Sequence, residues 1–254
     1  MLIAGYFATL FMGVTLGLLG GGGSILTVPI LVYLFKVPAH DAIHLSYFVV
    51  GTTALFGILP KQARIQVKPP IVAWFGIASI VTVIGVRRLV LPLIPERIGS
   101  IGKDELLLML FAIVMLGASI SMFRKSPPPS TDPIQPGRLI VGGLGVGFIA
   151  GLVGAGGGGL IVPVLIRYAG LEVRAAISSA LAIIVLNSAV GFVVSDAVGG
   201  ELFKLVLMLT GIAIAGSLLG SKLAAYIKAE TLKPAFGVFV LAMGAFVLGE
   251  HFLR

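Results

Sequence analysis

Two glycine-rich segments decide the fold. Gly17-Leu18-Leu19-Gly20-Gly21-Gly22-Gly23-Ser24-Ile25-Leu26-Thr27-Val28-Pro29 returns as Gly151-Leu152-Val153-Gly154-Ala155-Gly156-Gly157-Gly158-Gly159-Leu160-Ile161-Val162-Pro163. One offset, 134 positions, relates both ends of the two segments, and it is about half of the 254-residue chain. Adjacent glycines cannot continue an apolar helix, because each costs about 1 kcal/mol relative to alanine. The chain is therefore predicted to be a duplication with one broken hydrophobic helix in each half.

The composition is that of an integral membrane protein. Hydrophobic residues make up 58% of the chain and charged residues 11%, whereas soluble domains carry about 25% charged residues. The absence of cysteine excludes disulfides, thiol catalysis and thiolate metal sites. The three histidines are too scattered for a metal cluster. We expect no cofactor, and we expect no enzyme, since the apolar runs hold no nucleophile with its base and no paired acids.

The apolar runs predict an all-α polytopic protein. Runs of 16 to 21 residues are long enough to cross a hydrocarbon core of about 30 Å, and backbone groups in lipid must be paired within the segment. Residues 1–125 are predicted to form the first transmembrane repeat, 126–137 a proline-rich linker and 138–254 the second repeat. The runs are residues 2–35, 43–59, 71–86, 106–123, 139–169, 175–195, 202–219 and 234–248.

The distribution of lysine and arginine bears on topology. If each glycine segment were a single crossing, the halves would be parallel and the basic residues almost evenly divided. If each segment is a re-entrant hairpin beside three crossing helices, the halves are inverted and one side collects eleven basic residues against seven. The positive-inside rule favours the inverted model. It predicts a multi-pass protein of the inner (plasma) membrane with both termini outside the cytoplasm. The eleven are Lys61, Arg64, Lys68, Arg124, Lys125, Arg138, Arg167, Arg174, Lys222, Lys228 and Lys233.

In the inverted model the glycine tips meet near the midplane and form an anion site. Irregular backbone is tolerated there only where it is buried in protein or lines a cavity. The leg after each tip begins a helix, so free N–H groups and the positive end of the helix dipole point at the ligand. Close packing of glycine against a neighbouring helix is the structural alternative. The predicted substrate-binding residues at the tips are Gly20, Gly21, Gly22, Gly23, Ser24, Gly156, Gly157, Gly158 and Gly159.

Polar residues inside the apolar runs are further candidates. Thr52 and Thr53 in one half, and Asn187 and Ser188 at the matching place in the other, could donate hydrogen bonds to the anion, although hydroxyls also bond their own helix. His44 is a candidate proton carrier, with a capping or interfacial role as the alternative. Arg87 and Arg88 are expected at a helix end, with their charged groups extended towards water.

These motifs resemble those of the sulfite exporter TauE/SafE family. The resemblance is carried by the two glycine–proline elements, by the Ala-xxx-Ser segment after each and by Gly220-Ser221-Lys222. It implies transport, usually export, of sulfur-containing anions such as sulfite, sulfoacetate or other sulfonates. Ala155 and the His44-Leu45 pair depart from the pattern and leave the substrate open.

A secondary carrier that works by alternating access around the tips is therefore predicted. The alternatives are an anion channel lined by the same tips and a carrier of a non-sulfur organic anion. The expected partners are a small anion and the lipid bilayer. No nucleic-acid partner is expected, because the basic residues lie between apolar runs. The sequence does not indicate an oligomeric state.

Overall fold

The computed structural model describes residues 2–98, 101–123, 135–154, 157–195, 200–224, 226, 237–238 and 240–249. Helices dominate this part of the chain, and one antiparallel pair of two-residue strands, Arg97–Ile98 and Ile101–Gly102, joins two of them. The long helices are α1 (Leu2–Leu19), α2 (Ala39–Ile58), α3 (Pro69–Leu93), α4 (Lys103–Phe123), α5 (Pro136–Val153), α6 (Val173–Val194), α7 (Gly200–Leu223) and α8 (residues 240–249).

Among the described residues, five of these helices are long and apolar enough to cross a membrane: α2, α3, α5, α6 and residues 202–223 of α7. This confirms a polytopic membrane protein built from helices. The predicted linker falls mostly on residues 124–134, which lie outside the described residues. Helix α5 begins at Pro136, so the last two residues of the predicted linker, 136 and 137, belong to this helix.

Each glycine segment turns the chain into a hairpin. After α1, Gly20 adopts φ 63°, and the first return leg, residues 22–34, runs back along α1 as short 3₁₀, α and π segments. A Cβ on Gly23 would meet Met12 and the Leu16 backbone, while Phe35 lies against Gly5. The leg therefore returns to the level at which α1 began.

The second half repeats this hairpin. Gly154 has φ 80°, and the second return leg, Gly158–Ala169, runs back along α5. A Cβ on Gly157 would meet Val146 and Ala150, the residues 134 positions after Met12 and Leu16. Both predicted helix breaks are present, and each ends in a glycine backbone conformation that side chains disfavour.

The first helix of each half packs on the third helix of the other half. Gly13 of α1 lies against the carbonyl of Ala213 in α7, and Gly147 of α5 lies against the carbonyl of Ser79 in α3. These two contacts are related by the same offset of 134 positions. Gly17 meets Ser217 further along, so α1 and α7 run in the same direction. The same reasoning holds for α5 and α3, where Gly151 meets Val86.

Helices α2 and α6 cross at the centre of the molecule in opposite directions. Gly57 of α2 lies near Leu181, Gly51 lies on Ser188, and Gly191 of α6 receives the ring of Tyr47. The first and last of these contacts are again equivalent at the 134-residue offset. The two central helices are therefore antiparallel where they are in contact.

Replacing Gly147 with alanine tests the exchanged packing. The added Cβ would collide with the Ser79 backbone, which cannot rotate away. Overpacking of this kind costs about 1–3 kcal/mol, so we expect the melting temperature of the detergent-purified protein to fall by roughly 3–10 °C. Gly145→Ala in the same helix is the control, because Gly145 is exposed with nothing within 4 Å of its Cβ position. Equal melting temperatures for the two variants would contradict this packing.

Candidate functional site

The two glycine breaks meet in the middle of the molecule. A Cβ on Gly158 would collide with the side chain of Ser24 and the carbonyl of Gly21, and a Cβ on Gly159 would collide with the side chain of Ile25. Ser24 and Gly158, like Ile25 and Gly159, are 134 positions apart, so each pair brings together equivalent positions of the two glycine segments. The return legs approach this closely only because positions 158 and 159 carry no side chain.

Each glycine turn also rests on the central helix of the other half. Gly20 lies against Ile177, five residues into α6, and Gly154 lies against Ile43, five residues into α2. These two contacts are equivalent at the same offset. The breaks and the starts of α2 and α6 therefore form one buried assembly to which both halves contribute.

The predicted tip residues lie inside this assembly. Residues 20–24 are buried, as are Gly158 and Gly159, while Gly157 is half-buried. The Ser24 hydroxyl donates to the carbonyl of Gly21 at 2.7 Å and so braces the first turn. Gly156 lies outside the described residues.

The second return leg begins as an α-helix at Gly158, directly after Gly157 in the left-handed conformation with φ 71°. The first N–H groups of a helix have no acceptor within it, and the helix dipole is positive at that end. The N-terminus of this leg therefore has the electrostatic character that attracts an anion.

Thr53 makes its contacts away from the breaks. It is fully buried in α2, its hydroxyl donates to the Val49 carbonyl at 2.6 Å, and its own carbonyl accepts a hydrogen bond from Ser217 of α7 at 3.4 Å. Thr52 is half-buried on the same helix. A role of either threonine in anion binding stays a prediction.

Asn187 and Ser188 lie where α2, α3 and α6 meet. The Asn187 side chain donates to the Ser79 hydroxyl at 2.7 Å, while its Oδ1 atom is buried without a hydrogen-bond partner among the described residues. The Ser188 hydroxyl is likewise buried without a partner and lies against Gly51. Buried polar atoms that lack partners are costly, so this crossing has unused hydrogen-bonding capacity.

His44 is buried, six residues into α2, and its ring stacks on Phe192 at 4.8 Å between centroids. The residue before the helix is Pro38. A capping role does not fit this position, while an interfacial role and a role as proton carrier stay predictions.

Arg87 departs most clearly from the sequence expectation. It is 8% exposed, whereas the neighbouring Arg88 is exposed. Helix α3 does not end at the two arginines but continues through a π-helical segment, Val86–Val90, to Leu93. The expectation that Arg87 extends to water is wrong, because the longer helix carries its side chain into the protein.

Arg87 lies over an aromatic ring beside the second break. Its guanidinium carbon is 4.8 Å from the centroid of Tyr47, whose hydroxyl donates to the Ala150 carbonyl at 2.5 Å. That carbonyl also accepts the amide of Gly154, at 3.0 Å. The sequence alone does not indicate a functional role for Arg87, because a paired Arg-Arg at the end of an apolar run is typical of a membrane boundary.

A small apolar cavity adjoins the second break. Its volume of about 20 Å³ is enough for roughly one water molecule. The backbone of the second glycine turn forms one wall and α4 forms another. Its lining residues are Ile25, Phe111, Val114, Met115, Ile149, Ala150, Val153, Gly154, Gly157, Gly158, Gly159 and Leu160. In the described part of the chain, no three His, Cys, Asp or Glu side chains are grouped so that they could hold a metal ion.

Comparisons with known proteins identify the relatives of this chain. The family model described as sulfite exporter TauE/SafE matches residues 6–247. A probable membrane transporter protein of Xylella fastidiosa strain Temecula1 is 31% identical over 251 residues, covering 93% of this chain and 91% of the relative. A probable membrane transporter protein of Haemophilus influenzae is 26% identical over 249 residues, covering 91% and 92%. No solved structure gives a significant match.

A double-mutant cycle tests the contact between the breaks. Gly159→Ala would bring a methyl group onto the outer atoms of Ile25, with no backbone atom in the way. We therefore expect Gly159→Ala to lower the melting temperature, and Ile25→Ala to recover part of that loss when the two are combined. Neighbouring residues that contact one another typically show coupling of about 0.5–3 kcal/mol.

Gly117→Ala combined with Ile25→Ala is the control for this cycle, because Gly117 is exposed and has nothing within 4 Å of its Cβ position. That pair should be additive. Additivity of Gly159→Ala with Ile25→Ala as well would show that the two legs do not touch at this point.

Proposed function

Because this chain belongs to the sulfite exporter TauE/SafE family, we propose that it is a secondary transporter that exports small sulfur-containing anions. Sulfite and sulfonates such as sulfoacetate are the proposed substrates, and alternating access around the two glycine breaks is the proposed mechanism. The observation that carries the proposal is the contact of the two breaks with each other, at Ser24 with Gly158 and at Ile25 with Gly159. Secondary transporters commonly bind substrate where broken helices of two repeats meet.

The proposed repeats are inverted. A two-fold axis perpendicular to crossing helices lies in the membrane plane, and the antiparallel contact of α2 with α6 supports such an axis. Helices α1 and α2 also point the same way, because each runs parallel to α7. Along α1, Gly13 lies against Ala213 and Gly17 against Ser217. Along α2, Phe48 contacts Phe203 and Gly57 lies against Ser217. The first return leg lies between these two helices and runs back along α1. The chain therefore begins α2 at the level where α1 began, and no further membrane crossing is needed between them.

The distribution of lysine and arginine supports one orientation of the chain in the membrane. With inverted repeats, the side that holds the linker also holds eleven of the eighteen lysines and arginines. The positive-inside rule places that side in the cytoplasm. The chain is then a multi-pass protein of the inner membrane with both termini outside the cytoplasm.

An anion is the substrate class that the breaks favour. Glycine lets a ligand approach backbone N–H groups directly, and the N-terminus of the second return leg adds the positive end of a helix dipole. A monoanion that leaves a cell with a negative interior gains about 2.3 kcal/mol per 100 mV. The membrane potential therefore favours export without a coupled ion.

The contact between the breaks has a mechanistic consequence. With Ile25 seated on Gly159 and Ser24 on Gly158, the legs leave no room for an anion to pass between them. Transport then requires the halves to move so that these two pairs separate on one side at a time. Such gating is the behaviour of a carrier and not that of an open pore.

Flux into proteoliposomes tests the function. We expect uptake of radiolabelled sulfite or sulfoacetate that saturates with concentration and is accelerated at least threefold by unlabelled substrate inside, since a carrier returns faster when loaded. Empty liposomes and vesicles with labelled acetate are the controls. Flux that rises linearly without acceleration would indicate a channel, and no anion flux at all would refute the proposal.

Cysteine labelling tests the inverted topology. The chain has no cysteine of its own, so single cysteines at Ser130 and at Ser195 report only the positions under study. A membrane-impermeant maleimide should label intact cells at Ser195→Cys, whereas Ser130→Cys should react only after the membrane is opened. Labelling of both from the same face would restore the parallel arrangement.

A further inference from the structure

Arg87 is a buried cation whose charge no described carboxylate neutralises. The salt bridges of the described residues join His40 to Asp41 and Lys103 to Glu96, and neither involves Arg87. A guanidinium cannot be deprotonated in a protein, and an isolated buried charge is strongly disfavoured. The site is therefore electrostatically incomplete without an anion.

One face of the guanidinium is already occupied. The ring of Tyr47 lies under it, and the hydrogen bond from Tyr47 to Ala150 fixes that ring in place. The C-terminal end of α5, which carries the negative end of a helix dipole, is close by and also favours a cation. These contacts explain how the charge is tolerated and held, but they leave two of its hydrogen-bond donors unused.

The unused donors form one edge. Two buried guanidinium atoms, Nε and Nη2, have no hydrogen-bond partner among the residues that the structure describes. Their N–H bonds are parallel and lie on the same side of the planar group, which is the edge that receives two oxygens of one anion. The residue also belongs to the π-helical segment Val86–Val90, a distortion that is frequent at functional sites.

We propose that Arg87 binds the substrate, taking two oxygens of a sulfite, sulfonate or comparable oxyanion on its Nε–Nη2 edge beside the second glycine break. This inference rests on the proposed function and deepens it, because it names the group that neutralises the substrate. Tyr47 and Ala150 connect the guanidinium to Gly154 through two hydrogen bonds on one carbonyl. A halide would accept from both donors at a single atom through bent hydrogen bonds, whereas two oxygens of one anion accept one straight bond each.

The two halves are unequal at this position. The 134-residue offset places Ser221, which is half-buried, opposite Arg87, and the neighbouring Lys222 is exposed. At this position the first half therefore supplies a buried cation and the second half does not, and the oxyanion is held nearer to one of the two breaks than to the other.

Anion titration of the purified full-length protein, followed by its melting temperature, tests the inference. For the unaltered chain we expect saturable stabilisation by sulfite, sulfate and methanesulfonate, and none by chloride. Arg87→Gln should weaken the oxyanion affinity at least tenfold. Arg88→Gln, one residue away and exposed, should leave it unchanged and serves as the matched control. If the cation is only structural, Arg87→Gln will lower the melting temperature without changing the affinity, and that result overturns the inference.

Arg87→Lys keeps the positive charge and removes the paired donors. It is therefore the variant to titrate if Arg87→Gln does not yield folded protein. Loss of the preference for oxyanions over chloride in this variant supports the inference, and an unchanged preference overturns it. Stabilisation of the unaltered chain by oxyanions together with unchanged affinity in the Arg87 variants would leave the proposed function standing. Absence of any oxyanion effect on the unaltered chain would overturn both.

Discussion

The lipid environment constrains this structure at the two points where helices break. Inside a bilayer every backbone N–H and carbonyl group needs a partner from the protein, so irregular backbone is stable only when it is enclosed. Each glycine break meets this condition by lying against the other half: Gly20 on Ile177, Gly154 on Ile43, and the two legs on each other at Ser24 and Gly158. Each half therefore completes the enclosure of the other half's break, and the fold depends on the contact between the two halves.

The same requirement explains why the helices exchange partners. An approach as close as that of Gly147 to the Ser79 carbonyl is possible only for a residue without a side chain. In lipid the hydrophobic effect does not drive helices together, and association depends on packing of small residues. Glycines on α1 and α5 fit against backbone of the opposite half, so the interface between the halves is also their main source of packing.

The sequence predicted the elements that local chemistry determines. Glycine clusters break helices wherever they occur, so the 134-residue repeat and both hairpins could be foreseen from the segments at Gly20 and Gly154. The choice of neighbours could not be foreseen, because the offset relates equivalent positions without saying what they touch. The burial of Arg87 could not be foreseen for a related reason. The basic pair predicts that the apolar run ends at Val86, but the run continues beyond the two arginines through Leu89, Val90, Leu91 and Leu93.

The π-helical segment gives the two adjacent arginines different surroundings, and this difference underlies the proposed role of Arg87. An α-helix turns by about 100° per residue, and Val86–Val90 departs from that geometry at the two arginines. Arg88 remains at the surface while Arg87 is placed over Tyr47. Glycine backbone attracts anions in general, through dipoles and N–H groups that do not distinguish one from another. A guanidinium edge fixed beside that backbone adds a preference for two oxygens in one plane. Anion attraction and anion selectivity would thus come from different residues, the first from the repeated breaks and the second from Arg87, a side chain of the first half.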